Sequence, residues 1–166
     1  MTSSKTREFF VIAHNIRSLH NVGSIFRTAD AFKITKIFLT GFTGTPDYYV
    51  HQHKIEKVAL GAEKFVPWEY IKSPVKLIKG LKAKKIQIVA LENNLPKGVK
   101  MARPVPIGKF KPKFPIALVL GQERQGISKA ILNLCDRAVE IPMYGKKESL
   151  NVSVAFGIAS FCLTRQ

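Results

Sequence analysis

Acidic residues are scarce in this 166-residue chain: 11 Asp and Glu stand against 27 Lys and Arg, a formal net charge of +16. A balance so far to one side, with a pI near 10.1, points to a polyanionic partner. Nucleic acid fits better than membrane, because no stretch joins a strong apolar face to a basic one. Cysteine is scarcer still. Cys135 and Cys162 lie in apolar stretches without a partner at metal-ligand or redox spacing, which predicts a reducing compartment and two core thiols. Long apolar runs are missing too. Leu150 to Leu163 is broken by Asn151, Ser153, Gly157 and Ser160, falls short of a bilayer span and is not placed as a signal peptide would be. The expectation is a soluble protein.

Several signatures are absent as well. No G-x-G-x-x-G follows the first apolar run and no G-x-x-x-x-G-K-[ST] occurs, so neither the usual dinucleotide site nor a P-loop is supported. No His, Cys or Asp cluster has zinc spacing, and there is no G-x-S-x-G elbow. His51 and His53, two apart in a polar stretch read as a loop, are disfavoured as metal ligands.

The residues present suffice for one buried core, and residues 1–166 read as a single domain. Five short apolar runs recur: Phe9 to Ala13, Ile37 to Thr40, Ile86 to Leu91, Ile116 to Leu120 and Ala138 to Ile141. Most lack alternation, as strands buried on both faces do. Helical spacing separates them, at Asn21 to Phe32 and at Pro74 to Ala83. The fold class is therefore α/β, a mainly parallel sheet with helices on both faces. In such sheets ligands sit beyond the strands' carboxyl ends, which directs attention to the loops after Ala13, Thr40, Leu91, Leu120 and Ile141. Between Lys72 and Lys113 there are twelve Lys or Arg and one acid, Glu92. Pro104 to Pro115 reads as the most flexible segment.

Three loops concentrate the polar residues. In "HNIRSLHNVGSIFRTADAF", His14 to Phe32, Asn21 stands where a helix cap belongs, and Arg27 lies opposite the apolar stripe within reach of Asp30. In "LGQERQGIS", Leu120 to Ser128, Gly121 lets the chain turn off the strand, Gly126 can take a positive φ and Ser128 can cap the next helix. Glu123 has three readings there: a carboxylate at a helix N-terminus, a partner for Arg124, or a buried acceptor that holds an arginine or a ligand. In "IPMYGKKESLNVSVAFGIAS", Ile141 to Ser160, either Ser149 or Asn151 can cap the last helix, whose small residues permit close packing.

"NVGSIFRTAD", "LGQERQGIS" and "IPMYGKKESLNVSV" resemble, in order and spacing, the three motifs of the SpoU/TrmH-type RNA methyltransferases of the SPOUT superfamily. "IEKVALGAEKFVPW" resembles a further family segment. The resemblance implies a cytoplasmic homodimer of α/β domains with a C-terminal deep trefoil knot, against the rule that chains do not thread. It also implies S-adenosylmethionine as cofactor, at Leu120, Gly121, Glu123, Ile141, Met143 and Leu150. The implied reaction is methyl transfer to a ribose 2′-hydroxyl of RNA, with tRNA favoured over rRNA and no metal. Arg27 matches the motif-one arginine. Because a guanidinium stays protonated, its role is to orient the hydroxyl and stabilise negative charge, not to act as a free base. Glu123 would fix that guanidinium, Asn21 would hold Arg27 and the RNA backbone in register, and Ser149 and Asn151 would hydrogen-bond near the reacting centre. Several larger family members carry an extra N-terminal RNA-binding domain or flanking helical extensions, and a separate RNA-binding domain is not expected in these residues. An RNA-binding or assembly module of the same fold without turnover is the alternative, and an unrelated nucleotide-binding α/β domain is a weaker third.

Overall fold

The computed structural model describes residues 7–165. One seven-stranded sheet carries the fold, and every pairing in it is parallel. In chain order the strands are β1 (Phe9–His14), β2 (Lys36–Thr40), β3 (Trp68–Ile71), β4 (Gln87–Leu91), β5 (Val105–Pro106), β6 (Ile116–Leu120) and β7 (Arg137–Glu140). Across the sheet they run β3-β2-β1-β6-β4-β7-β5.

Consecutive residues of a strand feed opposite faces of the sheet. Val11, Leu39, Val89 and Leu118 belong to one core, packed under α1 (Leu19–Ala31) and α6 (Val152–Thr164), while α2 (Tyr49–Ala59) and α3 (Ala62–Phe65) close the same side. Ile12, Phe38, Ile88 and Val119 belong to the other, under α4 (Pro74–Ala83) and α5 (Lys129–Leu132). All five residues of β6 are buried, as a central strand covered twice requires. The apolar runs lacked alternation for this reason. Gly23 sets the approach of α1 to α2: a Cβ there would lie 2.6 Å from the Ile55 carbonyl oxygen. No helix among the described residues is long and apolar enough to cross a membrane.

The sheet is wider than the sequence pattern shows. Both strands that periodicity misses, β3 and β5, are edges, and none of their residues is fully buried. Edge strands need no continuous apolar run, so they leave little pattern to read. The polar stretch around His51 and His53 is not a loop but the helix α2, which buries only Ile55 and Ala59. Pro104 to Pro115 is no flexible connector either: it contains β5 and a 3₁₀ turn at Ile107–Lys109, and buries Ile107 and Phe110. Ser18, not Asn21, caps α1, its Oγ accepting from the backbone N–H of Asn21 at 3.2 Å. The expected core thiols are realised in Cys135, which is buried, and in part in Cys162, which is half-buried.

Candidate active site at the strand carboxyl ends

Beyond the carboxyl ends of β4, β6 and β7 the loops enclose a cavity of about 440 Å³. Leu120 and Gly121 open one wall, where the chain leaves β6 and folds back on itself through Gly126 N–H donating to the Gln122 carbonyl at 2.9 Å. The two glycines serve different needs. Gly126 has φ of +63°, a left-handed conformation that glycine adopts freely. Gly121 is required by crowding, since a Cβ there would stand 2.7 Å from the Gly126 carbonyl carbon. Ser128 occupies the cap position of α5 without a side-chain cap bond.

The wall formed by the loop after β4 was not assigned residues from sequence. Glu92, the single acid of the basic middle segment, accepts from the Ile127 amide at 2.9 Å and so ties the β6 loop to the end of β4. Asn93 clasps the start of the third loop twice, donating to the Ile141 carbonyl at 2.9 Å and accepting from the Ile141 amide at 3.1 Å. The carboxyl-end rule placed the loop after Leu91 among those to inspect, but nothing in its side chains separates a clamp from a solvated polar turn.

All six positions expected to hold the cofactor, Leu120, Gly121, Glu123, Ile141, Met143 and Leu150, line the cavity, and Ser149 lines it with them. Asn21, Glu123 and Asn151 come together from three distant parts of the chain. The Asn21 amide donates to Glu123 Oε1, and the Asn151 amide donates to Asn21 Oδ1 at 3.1 Å. Asn151 is also the cap of α6, its Oδ1 accepting from the Ser153 amide at 2.9 Å. Because Ser18 caps α1, the Asn21 side chain is released from that duty and spans the two loops.

Four expectations for Glu123 change. It is exposed, not buried, and lies well before the first residue of α5, so neither a buried acceptor nor a helix-dipole partner describes it. Its printed hydrogen bond is with Asn21, and no ion pair joins it to Arg27 or Arg124 among the described residues. Arg27 is exposed on α1 and forms no ion pair with Asp30. Its guanidinium is left available to an external anion.

At the same edge, His14 Nδ1 and Thr40 Oγ1 form a 2.9 Å hydrogen bond, and burial holds the His14 imidazole below its ordinary pKa. Cys135 lies on the opposite side of the sheet from α1. Burial, and then the neighbouring Asp136 charge, push its thiol up to about 12 against the opposing effect of Lys82, so it stays a thiol at neutral pH.

Fold and site together define a parallel α/β domain whose strand ends hold a cavity of cofactor size. The chain belongs to the SpoU rRNA Methylase family, whose model matches residues 8–161. It is 35% identical, over 98% of its length and 71% of the relative's, to the tRNA (guanosine(18)-2′-O)-methyltransferase of Aquifex aeolicus. It is 30% identical, over 95% of its length and 59% of the relative's, to the 23S rRNA (guanosine-2′-O-)-methyltransferase RlmB of Shewanella oneidensis. Among solved structures, the AdoMet-bound rRNA methyltransferase of Sinorhizobium meliloti superposes with a TM-score of 0.82 at 26% identity, covering 95% of this chain and 56% of that one.

Proposed function

We propose that the chain is an S-adenosylmethionine-dependent methyltransferase acting on a ribose 2′-hydroxyl of RNA, working in the cytoplasm as a homodimer, with residues 1–166 as one domain and the C-terminal part threaded as a knot. The observation that carries the reading is the joining of three motif loops by Glu123, Asn21 and Asn151 beside the cavity. The methyltransferase names of the relatives and the AdoMet held by the Sinorhizobium protein support it.

The cavity suits that cofactor. Its volume falls within the range of small-molecule sites, and it combines apolar Leu91, Leu120, Ile141, Met143 and Leu150 with exposed loop backbone and side-chain amides. When bound, S-adenosylmethionine supplies an electrophilic methyl group. Leu120, Gly121, Ile141, Met143 and Leu150 would hold it, and Glu92 and Asn93 keep the walls in place. Arg27 orients the acceptor hydroxyl and stabilises the charge that develops on its oxygen. Its exposure and lack of an ion pair among the described residues leave the guanidinium free for that task. Glu123 acts on Arg27 through Asn21 and α1, not by direct pairing. Much of the rate gain then comes from holding hydroxyl and methyl donor in one geometry.

A tRNA acceptor is favoured over rRNA, on the higher identity to the Aquifex tRNA enzyme. The test is methyl transfer from labelled S-adenosylmethionine to total RNA, followed by nucleoside digestion. A labelled 2′-O-methylnucleoside is expected from the wild type. Arg27→Ala should lower turnover by about a hundredfold or more, the scale of losing a charge-stabilising donor, with cofactor affinity unchanged in calorimetry. Undiminished turnover in the variant removes Arg27 from the chemistry. Cofactor binding without transfer to any RNA returns the reading to an RNA-binding module.

A further inference from the structure

Aromatic side chains crowd one exposed surface at the carboxyl ends of β2 and β3, outside the cavity. Phe42 is 52% exposed, Tyr48 50% and Tyr49 78%. Single exposed apolar residues are ordinary, but a contiguous exposed group, rimmed by polar residues, marks a contact surface. This group is contiguous. The Tyr48 and Tyr49 rings stand 5.6 Å apart, and the Tyr48 ring lies 4.6 Å from that of His51. His51 in turn lies across Gly44 from Leu19, close enough that a Cβ on Gly44 would meet both side chains. Leu19 shares a shallow depression with Arg17, His20 and Lys54, and the Arg17 guanidinium sits 5.5 Å over the Phe42 ring.

The surface mixes flat rings with cations. Neither Arg17 nor Lys54 is ion-paired among the described residues, and residues 41–54 contain one acid, Asp47. It also adjoins the site: Arg17 stands four residues before Asn21, whose amide reaches Glu123 at the cavity wall. An aliphatic partner face would not use the cations, and a duplex would hide the base faces that rings can stack on. Unpaired nucleotides use both, because every base has a π-face and every linkage a phosphate.

We propose that Phe42, Tyr48 and Tyr49 form a stacking platform for unpaired nucleotides flanking the target ribose, with Arg17 and Lys54 taking the phosphates. The inference rests on the RNA reading above. It makes the preferred substrate a loop or another single-stranded segment, and it assigns recognition to this surface in addition to the lysine-rich middle segment.

Anisotropy of a fluorescein-labelled oligouridine, with a blunt RNA duplex of the same length as competitor, tests it on the whole protein. The wild type is expected to prefer the single strand. Phe42→Ala and Tyr49→Ala should each weaken that binding by roughly five- to a hundredfold, the range for loss of one base stack, with little change in duplex binding. Arg17→Ala and Lys54→Ala should each lower the salt slope by about 0.7, whereas Tyr49→Ala should leave the slope unchanged. Calorimetry with S-adenosylmethionine on each variant, with unchanged cofactor affinity, separates a lost contact from a lost fold. Single-strand affinity equal to wild type in both aromatic variants overturns the proposal. So does a shift of Tyr49→Ala from dimer to monomer in sedimentation, which would make the surface an interface between copies. Methyl transfer by the wild type is read separately: transfer with unaffected oligouridine binding sinks the platform alone, and aromatic-dependent binding without transfer sinks the catalytic reading alone.

Discussion

Asn21 shows how a residue's role depends on its neighbour's. A serine three positions earlier takes the capping bond of α1, and the asparagine amide is then free to join Glu123 to Asn151. From sequence the three polar residues were legible as a set. The direction of their bonds was not, because capping by Ser18 or Asn21 differs by less than a turn of helix. His14 makes a second argument at this scale. Its imidazole is half-buried against Thr40, and burial lowers its pKa. The unfolded chain therefore takes up a proton below about pH 6.5 that the folded protein refuses, so stability is full above that pH and falls as acid is added. The slope is a fraction of the roughly 1.4 kcal/mol per pH unit of one full proton, reduced by the remaining solvent contact. Urea unfolding at pH 7 and pH 5 should show a smaller midpoint difference in His14→Gln than in the wild type, and equal differences would place the acid sensitivity elsewhere.

The loop from Gly121 to Ile127 is where sequence pattern and packing part company. Its glycines announced a turn, and the structure agrees, but the partner that holds the turn lies outside it. Glu92 reaches from β4 to the Ile127 amide, and a Cβ on Gly126 would collide with that carboxylate. Removing the acceptor leaves a half-buried N–H unpaired, at a cost of about 1–3 kcal/mol. Glu92→Ala should thus weaken S-adenosylmethionine binding by on the order of tenfold in calorimetry, while the sheet, which does not use this bond, keeps its cooperative unfolding. Unchanged affinity would show that the loop is held by its own 122–126 bond alone. The same distinction explains what was readable among the elements. β1, β2, β4, β6 and β7 are buried or nearly so and announce themselves by apolar runs, and α1 and α4 by helical spacing. Elements that bury two residues or none, such as α2 and β5, are fixed by the surfaces they lie against and leave no period of their own.

At the scale of the whole molecule, a charge excess stands beside an apolar stripe, and the Arg165 guanidinium lies 4.8 Å over the ring of Phe161 at the end of that stripe. The net charge of +16 suits RNA, yet α6 presents Val154, Ile158 and Phe161 to solvent at successive turns of one face. The opposite face of the same helix, Phe156, Ala159 and Leu163, is fully buried in the core. A helix apolar on both sides is normally covered on both, and a second copy meeting the first across a twofold axis would cover it. The α6 cap is Asn151, so whatever packs on α6 also bears on the Asn151–Asn21–Glu123 chain. Sedimentation at micromolar protein should give a dimer for the wild type. Phe161→Glu, which places a carboxylate within the contact, should shift it to monomer. The variant should still bind S-adenosylmethionine, because no residue of that stripe lines the cavity. Its turnover should fall with dimer content if the pairing of subunits holds α6 and Asn151 in register. A wild-type monomer that methylates RNA at full rate would show instead that one copy positions the site unaided.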